Sequence, residues 1–336
     1  MENKLRMLSL FSGIGAFEKA LANLNIPFEL VGFSEIDPIA IKAYCKIHNI
    51  DSSKNLGDIS KLNFNQISDI DLLTYGFPCQ DISVLGKEKG FEENGKSTRS
   101  GLVYKAFEII ESIKPKYCIM ENVKNLVGKK FINDFNHFLS ILNDLGYNNY
   151  YKVLKATDFG IPQNRERVFV VSIRKDIDNG FRFTEKTSQI IFQDFINHTV
   201  ENEFYLEGDK LENIKQRVFS MIDSNNFFLE PIIFDDYNNR IKVNQKEIGT
   251  LTANIGTKTP RNGTKLITDI DFIDQTLKAR VITPEESFKL MGFSHEDYLA
   301  AANVCSNAQI YKLARNSIVV PIIEEIYKNL FIERNS

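Results

Sequence analysis

Over the first 175 residues the apolar positions follow two alternating rhythms. Predominantly apolar runs at 6–11, 28–34, 71–75 and 117–120 predict short buried strands. Apolar residues recurring at helical spacing at 16–24, 38–48, 102–113 and 132–145 predict helices between and after them. Segments 150–156 and 167–173 predict two closing strands. Strands alternating with helices of this length predict an α/β fold with a doubly wound, mostly parallel sheet of Rossmann type. In such sheets ligands bind beyond the carboxyl ends of the strands, where Gly13, Glu35, Asp58, Cys79 and Glu121 fall.

The rhythm breaks near residue 180. Phe, Asn and Asp become frequent, with one helical stretch near 211–224 and a Gly/Thr/Asn-rich segment at 248–264. Helical periodicity returns at 284–291 and 307–330. The expected partition is a main catalytic domain from 1–180 plus 305–336, a second, smaller domain at 181–275, and a connecting hinge at 276–304.

At 336 residues and 43% hydrophobic content the chain can bury a large core. No run approaches the roughly 20 apolar residues that span a bilayer. The first residues lack an apolar targeting segment, so a cytoplasmic location is expected and no membrane contact. Cys45, Cys79, Cys118 and Cys305 lack zinc-site spacing and the four histidines do not cluster with them, so no metal is expected. Cys45 and Cys118 read as small buried hydrophobes and Cys305 as structural; only Cys79 stands on a turn. The net charge of −3 is unevenly spread. Residues 176–236 hold 13 acidic and 5 basic side chains, a balance of −8. Residues 237–268 hold six basic (Arg240, Lys242, Lys246, Lys258, Arg261, Lys265) against Glu247, a balance of +5. Phosphate binding needs such a local patch rather than a basic protein, although a solvated face would look the same.

The chemistry concentrates at two strand ends. Gly76-Phe77-Pro78-Cys79-Gln80 follows the 71–75 strand, and Glu121-Asn122-Val123 closes the strand at 117–120. A thiolate on a rigid turn with a carboxylate nearby suits addition to an electron-poor pyrimidine ring. Arg165 and Arg167 are candidates for orienting a base and its phosphate, or else partners of Glu166 or Asp158 in structural ion pairs. Gly13-Ile14-Gly15 permits a tight turn against a ligand at a helix N-terminus, and Glu35 and Asp58 suit ribose hydroxyls and a base amino group. No Lys-Ser/Thr follows the glycines, so a P-loop is excluded.

These blocks resemble the ordered motifs of the DNA (cytosine-5)-methyltransferases of bacterial and phage modification systems. The match covers 11–17 (Phe-Ser-Gly-Ile-Gly-Ala-Phe), 76–80, 121–123, 163–167 (Gln-Asn-Arg-Glu-Arg), 280–286 (Arg-Val-Ile-Thr-Pro-Glu-Glu) and 314–317 (Ala-Arg-Asn-Ser). Six blocks in order reach most of the chain outside roughly 180–248. Ala16 stands where the family commonly has glycine. The resemblance implies S-adenosylmethionine as methyl donor, leaving S-adenosylhomocysteine, with Phe11, Gly13, Gly15, Glu35, Ile36, Asp58, Ile59, Pro78 and Asn316 around it. It implies catalysis by Cys79, Glu121, Arg165 and Arg167 on a cytosine flipped out of double-stranded DNA. The segment 81–99 corresponds to the family's lid, with Gln80, Ser83, Lys87, Lys89 and Arg99 expected to touch DNA. Residues 249–254 look like the end of its target-recognition region, where Arg240, Thr250, Asn254, Lys258 and Arg261 are expected contacts. A monomer is expected, with a cognate restriction endonuclease encoded nearby as an open possibility. Two alternatives stay open: a tRNA cytosine methyltransferase of the same fold, whose Cys-Phe-Thr motif is absent here, and a non-catalytic DNA-binding relative.

Overall fold

The computed structural model describes residues 4–62, 64, 67–78, 101–222, 231–242, 247–252 and 254–333, and the backbone alone of 92–93, 96–97 and 100. Two compact units emerge. The first holds the chain up to Lys155, then Glu166–Lys186, and again from Ser317 onward; the second holds Ala156–Arg165 and Thr187–Asn316.

The first unit is built on six strands: β1 (Leu5–Leu10), β2 (Phe28–Ser34), β3 (Leu72–Tyr75), β4 (Tyr117–Val123), β5 (Tyr147–Lys155) and β6 (Glu166–Arg174). They lie in the order β2-β1-β3-β4-β6-β5. The pairs β1/β2, β1/β3 and β3/β4 are parallel, whereas β6 is antiparallel to both its neighbours. A parallel pair needs a crossover of a dozen or more residues, while the link from β5 to β6 spans only 156–165 and contains no α-helix. That short link explains the single reversal in a mostly parallel sheet.

Helices α1 (Ala16–Asn23), α2 (Pro38–His48), α3 (Val103–Ile113) and α4 (Ile132–Asp144) follow β1, β2, β3 and β4. Asp37 caps α2 by accepting from the Ile39 N–H at 2.9 Å, with Pro38 at the first position. Leu8, Leu73, Met120 and Val168 of the sheet form one buried cluster with Phe107 of α3 and Phe135 and Phe138 of α4. Burial of this kind contributes about 1.5–3 kcal/mol per large apolar side chain.

One register detail positions the site. Strand β3 stops with Tyr75 opposite Met120, but β4 continues through Val123 because β6 still pairs with it, Glu121 facing Phe169 and Val123 facing Arg167. Glu121 therefore lies inside a strand rather than just past its end. Its β3 flank is where Gly76 departs.

The second unit carries a four-stranded antiparallel sheet that its Asn- and Asp-rich sequence does not announce: β7 (Ile232–Asp235), β8 (Arg240–Lys242), β9 (Thr264–Asp271) and β10 (Thr276–Val281), in the order β8-β7-β9-β10. The strands are short, and the alternation is obscured where β9 and β10 shift register between Ile267 and Asp269. Helix α5 (Gly208–Phe219) packs Ile214 and Val218 onto Ile232, Phe234, Ile267 and Ala279. Helices α6 (Pro284–Lys289), α7 (His295–Ala302) and α8 (Asn307–Asn316) also belong to this unit. The 280–286 block is largely structural. Thr283 and Glu286 form a capping box, and Arg280 grips Glu286 through two buried bonds of 2.8 and 2.7 Å.

The long helix expected over 307–330 is two helices. Pro321 has no N–H and cannot sit in a helix interior, so α8 ends at Asn316 and α9 (Val320–Tyr327) begins with the proline in its first turn. Helix α9 lies in the first unit, where Glu324 accepts from Asn23 of α1 at 2.7 Å.

Candidate active site

The turn after β1 is strained by design of sequence. Phe11 (φ 53°), Gly13 (φ 56°) and Gly15 (φ 76°) all adopt left-handed backbone. Gly13 needs its glycine for conformation alone, since an added Cβ would meet open space. Gly15 needs it twice over: a Cβ would lie 2.2 Å from His48 Nε2. His48 Nε2 in turn lies 2.9 Å from the Ile14 carbonyl oxygen, which pins the turn to α2. Ala16 is the first residue of α1, so the missing family glycine leaves the turn's backbone unaltered.

Glu35 organises the neighbouring strand end. Its carboxylate accepts from Gly13 N–H at 2.9 Å through Oε2, and from Ile36 and Asp37 N–H at 2.8 and 2.9 Å through Oε1. Asn55, which sequence reasoning missed, straps the next loop to it: Asn55 Oδ1 accepts from the Glu35 and Gly57 N–H groups, and Asn55 Nδ2 donates to Glu35 O. Ser34 Oγ donates to Gly57 O at 2.6 Å. Asp58 is thereby held beside the β2 end, long before β3 begins. Its carboxylate accepts from Ser60 N–H and Oγ, and the Ser60 backbone bond holds its pKa below the usual carboxylate value. Ile59 is buried, whereas Ile36 is 69% exposed. The Ser12 hydroxyl is buried with no hydrogen-bond partner among the described residues.

Where β3 ends, Gly76, Phe77 and Pro78 lead toward residue 79. Asn122 Nδ2 donates to Phe77 O at 3.1 Å, a tether across the two strand ends that the Glu-Asn-Val block could have signalled. Phe77 is buried edge-on against Phe138. A Cβ on Gly76 would stand 3.6 Å from Glu121 Oε2, so this backbone passes close to the carboxylate. Arg167 Nε lies 3.2 Å from Glu121 Oε1, both side chains mostly buried. Arg167 Nη1 also donates to Glu166 O at 2.8 Å. The Glu166 carboxylate is engaged instead by Lys124 Nζ at 2.9 Å. The residue that Arg167 serves is thus Glu121. Cys79, Gln80, Ser83, Lys87, Lys89 and Arg99 lie outside the described residues.

Within the second unit, Arg165 is buried and donates from Nη1 to the Arg315 carbonyl oxygen at 3.2 Å, one residue before Asn316 at the end of α8. Gln163, fully buried, bridges two stretches: Nε2 donates to Leu290 O at 2.8 Å, and Oε1 accepts from Leu251 N–H at 3.0 Å. Thr250 donates its hydroxyl to Asn164 O. Arg240, Asn254 and Arg261 are exposed and Lys258 half-buried.

Lys265, counted in the basic patch from sequence, is not available to phosphate. It is fully buried, 3.7 Å from Asp236, and donates to the carbonyls of Thr257 (2.7 Å) and Asn262. Burial pushes its pKa down to about 8 from the ordinary 10.5, partly offset by Asp236. Folded Lys265 therefore releases its proton near pH 8 while the unfolded chain keeps it to about 10.5. Between these values the unfolded state binds more protons, so stability rises with pH. Relative to Lys265→Met, the wild type should gain on the order of 2 kcal/mol between pH 8 and 10 in urea unfolding. A difference that is flat or falls with pH would contradict the assignment.

Among the described residues no helix is long and apolar enough to cross a membrane, and no group of three or more His, Cys, Asp or Glu could hold a metal ion. The fold matches that of the S. pombe Dnmt2 methyltransferase, whose crystal structure aligns over 99% of this chain and 100% of that one with a TM-score of 0.72 at 20% identity. That likeness shows the fold alone, a mixed α/β architecture. The chain belongs to the C-5 cytosine-specific DNA methylase family, whose model matches residues 5–332. It is 34% identical to the type II methyltransferase M2.ScrFI of Lactococcus lactis subsp. cremoris, over 97% of this chain and 99% of that one. It is 30% identical to the orphan methyltransferase M.SPRI of Bacillus phage SPR, over 97% of each.

Proposed function

We propose that this chain methylates carbon 5 of a cytosine within a short sequence of double-stranded DNA, using S-adenosylmethionine. The observation that carries the reading is the Glu121–Arg167 pair at 3.2 Å, set against the backbone that leads from β3 to Cys79.

The β1 turn fits the donor. Among the described residues Glu35 Oε2 accepts one N–H and retains room for a ribose hydroxyl, the Ser12 hydroxyl has no partner, and Ile36 offers an exposed apolar face to an adenine. Phe11, Gly13, Gly15, Asp58, Ile59, Pro78 and Asn316 complete the proposed set. When bound, the donor supplies an electrophilic methyl group.

The chain's own residues do the rest. The Cys79 thiolate adds to C6 of the flipped base, and the ring's electron pair moves toward N3. Glu121 shares a proton with N3 and accepts from the 4-amino group, which stabilises the charge that develops there. Arg167 fixes the carboxyl in that orientation. Carbon 5, now enamine-like, takes the methyl group; loss of the C5 proton then expels the thiolate and restores the ring. The first unit carries Cys79, Glu121 and Arg167; Arg165 joins them in orienting the base and its phosphate, and the second unit reads sequence through Arg240, Thr250, Asn254, Lys258 and Arg261. Gln80, Ser83, Lys87, Lys89 and Arg99 are proposed backbone contacts. We further propose a cytoplasmic monomer, paired with a restriction endonuclease where one is encoded nearby.

Purified protein with labelled methyl donor should place 5-methylcytosine in duplex DNA at one sequence by bisulfite sequencing. Label entering tRNA alone would favour the tRNA-modifying reading, and label in neither would favour a binding relative.

A further inference from the structure

The 254–263 loop of the second unit is held from three sides by contacts within the protein. Lys265 Nζ, buried, donates to Thr257 O at 2.7 Å and to Asn262 O, so one ammonium spans the loop's two arms. Asp236 holds that ammonium at 3.7 Å, and its own N–H donates to Gly263 O at 3.1 Å. Arg217 of α5 pairs with Asp236 at 2.7 Å, stacks 5.1 Å over Phe234, and donates to Asp236 O. On the other arm Tyr311 of α8 lies so close to Gly256 that a Cβ there would sit 2.1 Å from its ring. The Tyr311 hydroxyl is itself anchored on Ile282 O at 2.6 Å. Asn254 Nδ2 closes the mouth of the loop onto Asn262 Oδ1 at 3.1 Å. Thr259 and Arg261 are exposed between the arms, Arg261 in left-handed backbone at φ 61°.

We propose that Lys265 and Tyr311 are positioning residues that preorganise this loop for sequence reading, so that Lys258, Thr259 and Arg261 meet DNA without an ordering step. The inference rests on the proposed function and adds the device that sets specificity. A buried charge is a costly way to hold two carbonyls on an ordinary surface turn. It suits a loop whose shape must survive until a ligand arrives, because a preordered loop spends less binding free energy on its own ordering. Lys265 acts through the loop and touches no reacting atom.

Two variants attack the two arms independently. Lys265→Met keeps the stem and removes the donors; Gly256→Ala drives the loop off Tyr311. On a duplex bearing the site found for the wild type, each should raise KM for DNA by about tenfold or more, with kcat at saturating DNA within about twofold. Discrimination against duplexes with one changed base should fall by a similar factor. Unchanged KM and discrimination, or a kcat loss at unchanged KM, would overturn the proposal. Should neither variant fold, hydrogen exchange on the free wild type decides. Amides across 254–263 should already be protected without DNA, and exchange at unprotected rates would overturn the proposal. A wild type that methylates no DNA would defeat the proposed function instead, while leaving that exchange result readable.

Discussion

Cys79→Ser should lower methyl transfer by at least about 10⁴-fold while the protein still melts cooperatively and still binds its duplex. A thiol reaches the thiolate state within a few pH units of neutrality, whereas a serine hydroxyl effectively never ionises, so the addition to C6 loses its nucleophile. Single-turnover assays with saturating DNA and donor isolate this step from binding. A variant retaining a tenth of wild-type rate would mean that residue 79 does not attack the base. Neither Cys118 nor Cys45 is a rival: Cys118 is buried in the sheet core, where desolvation drives its pKa far up, and the Cys45 thiol is raised by partial burial too.

Glu121→Gln should cost about 10²–10³-fold in kcat with KM for DNA little changed. The amide copies the carboxyl's shape and can still meet N3 and the 4-amino group of a bound cytosine. It cannot share a proton with N3 as the ring's electron pair arrives. Glu121 is also the counter-charge of Arg167 at 3.2 Å in a mostly buried setting, so the variant should lose some stability as well. Thermal melting alongside the kinetics separates the two effects. A variant with unchanged kcat would remove Glu121 from the chemistry and leave it a partner of Arg167 alone.

Where sequence succeeded and failed follows from what local pattern can encode. The strands β1 to β4 are mostly apolar because parallel strands inside a sheet bury both faces, and runs such as Met7-Leu8-Ser9-Leu10 read readily as strands. Gly13 and Gly15 were legible because left-handed backbone leaves few alternatives to glycine. Phe11 in the same conformation was not, since its strain is imposed by tertiary context. The antiparallel sheet of the second unit escaped notice because its short strands carry charges such as Lys265 and Arg280 that are buried in pairs, and pairing is invisible along the chain. Arg167 shows the same limit. Its chemistry was readable, but its partner, Glu121, is set by the β4/β6 register rather than by neighbours such as Glu166.

The sulfur–carbon bond is most directly tested with a duplex carrying 5-fluorocytosine at the methylated position. Fluorine cannot leave as the C5 proton does, so the adduct should persist. Wild-type protein with methyl donor should give a complex that survives denaturation, and mass mapping should place the nucleotide on the peptide containing Cys79. An enzyme that methylates the ordinary duplex yet forms no such complex, or carries the adduct on another residue, would contradict this account.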